Sequence, residues 1–275
     1  INSDLEVTSS GSIERDQQGQ SNKFNYNYWS SPVGALSTTS NNNAYTVDSV
    51  MKDGTDPNNI KNITWVPTYD GAATNPITLS SYWIFKFQNV SPVYANWAKI
   101  GQTGSLLAGQ GFTLKGSAAG TATQNYTFVG KPNSGAISSP IAANNSNLSG
   151  NPYPSALDAN AFINDNLTST TGTLYFWEHY STNSSHILVQ YQGGYATRNL
   201  VGGTAPVAPS GISTSGSSSR VPGRYIPVGQ GFFVNGSATG GTISFNNGQR
   251  AFIKENDAVN SNPLFRQTAT SIVDN

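Results

Sequence analysis

A ten-residue string of this chain returns 120 positions later. Ala108-Gly109-Gln110-Gly111-Phe112-Thr113-Leu114-Lys115-Gly116-Ser117 is answered by Val228-Gly229-Gln230-Gly231-Phe232-Phe233-Val234-Asn235-Gly236-Ser237. Tyr28-Trp29-Ser30-Ser31-Pro32 is matched by Ser149-Gly150-Asn151-Pro152-Tyr153, with the prolines again 120 apart. The aromatic run Tyr82-Trp83-Ile84-Phe85-Lys86-Phe87 has its counterpart in Leu174-Tyr175-Phe176-Trp177-Glu178-His179-Tyr180. Similar segments in a fixed order mean one structural unit present twice. At 275 residues, each unit has about 130 residues, enough to bury a core of its own.

The local pattern says what the unit is made of. Aromatic or β-branched residues alternate with polar ones at Phe24 to Trp29, Tyr82 to Phe87, Phe112 to Leu114 and Tyr126 to Val129. The same alternation marks Leu174 to Trp177, Ile187 to Tyr191, Gly231 to Val234 and Ile243 to Phe245. Gly, Pro, Asn and Ser clusters separate these runs. The expectation is an all-β chain of two tandem, related β-sandwich (jelly-roll-like) units, residues 1–134 and 135–275. One short helix is expected from Ser155 to Asn164, capped by Ser155 or Asp158, with Leu157, Phe162 and Ile163 facing inward. Unequal spacing of the landmarks puts an insertion around Ser37 to Asn75 in the first unit and around Gly193 to Arg224 in the second. Both are expected on the surface, and the small-residue tract Thr204 to Arg220 reads as a mobile loop.

Charged residues are 10% of the chain and balance to zero net charge, against about 25% in an average soluble protein. A neutral surface rich in amides and hydroxyls offers nothing to a phosphate backbone or an anionic bilayer, so no nucleic-acid partner is expected. No apolar run is long enough for membrane insertion. The absence of cysteine excludes disulfides, thiol catalysis and Cys-based zinc sites. The chain starts at Ile1 and reads as the mature or trimmed part of something longer.

Catalytic signatures are sparse. The Gly-Gln-Gly-Phe segments precede strand residues, not a helix, and read as tight turns instead of phosphate loops. No Gly-x-Ser-x-Gly elbow is present, and His179 and His186 are the only imidazoles. They flank an expected hairpin turn, Tyr180 to Ser185. Glu178 and His179, adjacent on a strand, point to opposite faces and cannot easily share a metal. None of the 14 acids forms an evident pair across a cleft, as a glycosidase requires. Calcium is the one candidate cofactor: the loop at Asp53, Asp56 and Asn58 is rich in hard oxygen donors, although an Asx-rich turn is the favoured reading. Trp65, Tyr69 and Asp70 in the first insertion, and Tyr191 and Tyr195 in the second unit, are candidates for a sugar platform, in which rings stack on a pyranose beside amide and carboxylate hydrogen bonds.

The strings Leu148-Ser149-Gly150-Asn151-Pro152-Tyr153-Pro154-Ser155-Ala156-Leu157-Asp158, Gly172-Thr173-Leu174-Tyr175-Phe176-Trp177-Glu178-His179 and Val228-Gly229-Gln230-Gly231-Phe232-Phe233-Val234 resemble large exported proteins of Flavobacterium-type Bacteroidota. In those type IX secretion substrates they resemble the repeat region that precedes the C-terminal sorting domain. The resemblance implies passage through the type IX secretion machinery, an extracellular or outer-surface location on a Gram-negative bacterium, and no catalytic residue. It also implies O-glycosylation at Asp-Ser/Thr followed by a small or aliphatic residue, which makes Ser49 a candidate. The resulting expectation is a non-catalytic cell-surface structural or adhesive module contacting surface proteins, glycans or copies of itself. A carbohydrate-binding module serving an enzyme on a longer chain is one alternative, and a glycosidase is another.

Overall fold

In the computed structural model, which describes residues 6–180 and 183–253, the duplication is visible as repeated strand pairing. Strand Tyr26–Trp29 pairs antiparallel with Phe112–Lys115, placing Tyr28 opposite Thr113 and Trp29 opposite Phe112. Strand Ser146–Gly150 pairs with Gly231–Gly236 in the same way, placing Leu148 opposite Phe233 and Ser149 opposite Phe232. Adding 120 to each residue of the first ladder gives the second. A further pair repeats with a one-residue slip. Gln17 of Ile13–Gln20 faces Tyr126 of Thr123–Pro132, whereas Ile137 of Ile137–Ile141 faces Phe245 of Gly241–Phe245.

The architecture is all-β. In the second half a five-stranded antiparallel sheet runs in the order Ser146–Gly150, Gly231–Gly236, Thr170–His179, Gly193–Arg198, Gly203–Val207. One face carries Phe232, Val234, Leu174 and Phe176, which bury against Ile137, Ile141, Ile243 and Phe245 and the short helix Ala159–Asn166. The first half buries Trp29, Phe112, Leu114, Tyr126 and Phe128 in a core of its own. Strand alternation sends the residues between these inward positions to the other face. There Tyr28, Phe87 and Leu148 form a third cluster with Trp97, Trp177, Tyr195 and Phe233, drawn from both halves.

The sequence-derived outline needs several corrections. Residues Tyr82 to Phe87 do not form one strand: Ser81–Trp83 is a 3-10 turn followed by the two-residue strand Phe85–Lys86. The Thr113 hydroxyl accounts for this, accepting from the Phe85 N–H at 3.1 Å and donating to the Trp83 carbonyl at 2.7 Å. A side chain thereby serves backbone groups that the matching strand in the second half pairs with backbone. Ile187 to Tyr191 is likewise not a strand but contains a 3-10 turn, Leu188–Gln190, in a long connection from His179 to Gly193. Residues 181 and 182 of the expected hairpin turn lie outside the described residues. The insertions are not confined to the surface. Tyr45, Val47, Val50, Met51 and Ile63 are buried in the first core, and Ala196 is buried in the second. The helix starts later than expected, with Asp158 as its cap: Asp158 Oδ1 accepts from Asn160 N at 2.9 Å and Ala161 N at 3.4 Å.

The two halves meet through reciprocal contacts. Trp29 bridges Gln230, and Gln110 bridges Ser149, which is the same contact with the halves exchanged. Ser30 N donates to Gly229 O at 2.8 Å, while Gly150 N donates to Gly109 O at 3.2 Å. The glycines of Gly-Gln-Gly-Phe make this approach possible. A Cβ at Gly111 would lie 2.8 Å from the Ser149 carbonyl oxygen, and one at Gly231 would lie 2.9 Å from the Trp29 nitrogen. Gly109 and Gly229 both adopt positive φ, 84° and 64°. The repeated motif is therefore the tight turn read from sequence and also the crossing point of a pseudo-two-fold seam.

Candidate functional site

Lys115 ends the strand Phe112–Lys115 and follows three buried residues, yet its own side chain is only 1% exposed. A buried ammonium needs partners, and it finds them across the seam. Its Nζ donates to Tyr191 Oη at 2.6 Å and lies 2.9 Å from His186 Nδ1. Three rings surround it, with centroids 3.8 Å away for Trp83, 4.5 Å for Tyr26 and 4.9 Å for Tyr191. Burial pushes the amine pKa down to about 7, against a small opposing pull from the Asp70 charge.

From Lys115 a polar chain runs to the surface. His186 Nε2 is 2.7 Å from Asp70 Oδ1, and Lys23 Nζ is 2.6 Å from Asp70 Oδ2. When Lys115 is an ammonium it can only donate, so His186 Nδ1 accepts and Nε2–H points to Asp70. Hydrogen bonds from Lys23 and then His186 hold the Asp70 carboxyl below the usual range, and burial lowers His186. The His186 ring stacks on Trp83 at 4.9 Å and 19° and touches Phe24 at 4.7 Å. Tyr69 completes the patch. It is 56% exposed, lies 4.7 Å from Tyr82 edge-on and 5.5 Å from Trp83, and its carbonyl accepts from the Trp83 indole N–H at 2.7 Å.

Of the residues singled out in the sequence, Tyr69 and Asp70 come together at this surface, with Tyr191 behind them on the buried amine. Tyr195 belongs to the third cluster, its hydroxyl 3.1 Å from that of Tyr28. Trp65 packs against the first core. Neither joins the patch. Lys23, Trp83, Lys115 and His186 are members that sequence reading did not assign. The nearest signal was His186, noticed as an imidazole but without its partner 116 residues away.

The oxygen-rich loop closes on itself. Asp53 is buried, its Oδ1 accepting from Thr55 N at 2.9 Å and Thr55 Oγ1 at 2.6 Å, and its Oδ2 from Ile77 N at 2.9 Å. Asp56 Oδ1 accepts from Asn58 N at 3.0 Å. These are Asx turns, and a calcium ion at Asp53 would have to displace three donors. Among the described residues no three His, Asp or Glu side chains gather as a metal site. Ser49 is exposed, and its hydroxyl forms a capping box with Thr46, donating to Thr46 O at 2.8 Å.

His179 and Glu178 diverge as adjacent strand residues must. His179 is buried among Tyr26, Trp177 and Tyr191. Burial and then the Lys115 charge drive its pKa down to about 3, against a small pull from the Gln192 main chain. Neither ring nitrogen meets a partner with hydrogen-bond geometry. Glu178, on the other face, accepts from Ser218 Oγ at 3.0 Å and pairs with Arg220 at 3.5 Å. Burial raises its carboxyl pKa.

The chain belongs to a family described as a domain of unknown function (DUF8693), which matches residues 2–274. No curated protein and no solved structure matches it. Among the described residues no helix is long and apolar enough to cross a membrane.

Proposed function

We propose that this chain is a non-catalytic adhesive or structural module of an exported bacterial surface protein, and that it holds glycan on the patch around Tyr69. The observation that carries the reading is the exposed Tyr69 ring, braced by Tyr82 and Trp83 beside a carboxylate fixed by the Lys23 ammonium and the His186 imidazole. A braced ring offers a flat apolar face to the C–H groups of a pyranose at little entropic cost. Asp70, already oriented, offers acceptors to sugar hydroxyls. Lys115, its amine shifted toward neutrality by burial, is enclosed by rings and serves as the buried post behind the patch. The low charge and the resemblance to type IX secretion substrates support display at an outer surface.

A polysaccharide and host-glycan panel tests this, run with wild type, Tyr69→Ala and Asp70→Asn, in calcium and in EDTA. Saturable binding that falls at least about tenfold in Tyr69→Ala is expected, a loss of about 1.4 kcal/mol, with EDTA leaving it unchanged. No binding to any glycan, or binding indifferent to Tyr69, would overturn the reading.

A further inference from the structure

An open cleft of about 660 Å³ adjoins the patch. Its first wall is the turn Gln20 to Asn25, its second the loop Ala118 to Ala122, and its third is built by Glu178 to Tyr180 with Ser218 and Arg220. Two residues belong to both cleft and patch. Lys23 lines the cleft and pairs with Asp70; Phe24 lines the cleft and packs on His186. The two surfaces are therefore continuous. The turn is pinned from the other half: Asn183 Nδ2 donates to Asn25 Oδ1 at 3.0 Å, and Asn22 Nδ2 donates to Asn183 O at 3.1 Å.

The lining favours one kind of ligand. Each cation has an acid beside it, Lys23 with Asp70 and Arg220 with Glu178, so the cleft offers no surplus charge to an anion. Gln20, Asn22, Thr121, Ser217 and Ser218 put amides and hydroxyls on the lining, while Ser21 and Asn25 are buried and bonded within the protein. Such groups suit the alternating donors and acceptors of neutral sugars, and the volume falls within the range of ordinary ligand sites, roughly 300–1,000 Å³. Resting on the glycan reading above, we infer that the ligand is an extended neutral oligosaccharide. One sugar stacks on Tyr69, and the chain continues over Lys23 and Phe24 into the cleft.

Chain length and a cleft-filling variant test this. Gly120 is exposed on the cleft loop, and a Cβ there meets nothing within 4 Å, so Gly120→Trp sets a bulky ring on the cleft wall without a backbone clash. Titration calorimetry on the whole chain would use cello-, manno- and xylo-oligosaccharides of one to six units, with oligogalacturonates alongside. Affinity for at least one neutral series is expected to rise tenfold or more from one unit to four. Gly120→Trp should abolish that gain and leave single-sugar binding intact, while Tyr69→Ala weakens every length. Length-independent binding, a gain that survives Gly120→Trp, or preference for the oligogalacturonates would overturn the cleft proposal and leave the Tyr69 patch standing. Binding that ignores Tyr69→Ala, or no binding in any series, would instead overturn the patch reading on which this rests.

Discussion

Enclosed by Tyr26, Trp83 and Tyr191, the Lys115 amine loses its proton near pH 7, whereas in the unfolded chain it keeps it to about 10.5. Between those limits the unfolded state binds the extra proton, so stability rises with pH, by at most about 1.4 kcal/mol per unit. Urea melts from pH 7 to 9.5 should show that rise, and Lys115→Met should flatten it. An unchanged slope in the variant would place the effect elsewhere. His179 works at the acid end. Its folded pKa of about 3 lies below the ordinary 6.5, so stability is lost as pH falls through that interval. His179→Phe keeps a ring among the neighbouring aromatics and removes an imidazole that burial forces to stay neutral. The variant is expected to gain stability over wild type at pH 5, and more there than at pH 8, measured by thermal melts at both.

Among the elements, the helix Ala159–Asn166 depends on one side chain at its start. Asp158 accepts from two helix N–H groups and also takes a bidentate contact from Arg224, with N–O distances of 2.6 and 3.0 Å. Asp158→Ala should cost about 1 kcal/mol, the usual loss for a cap, read as a lowered melting temperature. That capping was legible from the sequence because it is local, an Asp set just before a buried Phe-Ile pair. So were Tyr26–Trp29, Phe112–Lys115 and Gly231–Gly236, where apolar residues alternate. Ile13–Gln20 was not legible: Ile-Glu-Arg-Asp-Gln-Gln-Gly-Gln carries no apolar alternation, and its place comes from eight residues paired with Thr123–Pro132. The same limit hid most of the patch. Asp70 and Tyr69 announce themselves as exposed polar and aromatic residues, but what orients them is Lys23, Trp83 and His186, brought together only by the tertiary fold. Thr113, an unremarkable strand residue in sequence, turned an expected strand into a 3-10 turn through one hydroxyl.

For the whole molecule, the seam couples the halves. Ala108, from the first of them, is buried in the core of the second, and a Cβ at Gly229, from the second, would touch Phe128 in the core of the first. Cores that share packing should unfold together, so calorimetry is expected to show one transition with equal van't Hoff and calorimetric enthalpies. Two resolved transitions would mean that the cores melt independently. Gly231→Val should lower stability by several kcal/mol, roughly 2–4, because its side chain meets the backbone of Tyr28 and Trp29.

The reciprocity of that seam also gives the molecule redundancy. The crossing contacts at Gly109 and Gln110 have twins at Gly229 and Gln230, so damage to one turn leaves a matching turn engaged on the other side of the pseudo-axis. A joint of this kind loosens before it parts: one broken turn makes a hinge of the survivor, and only the loss of both sets the halves free.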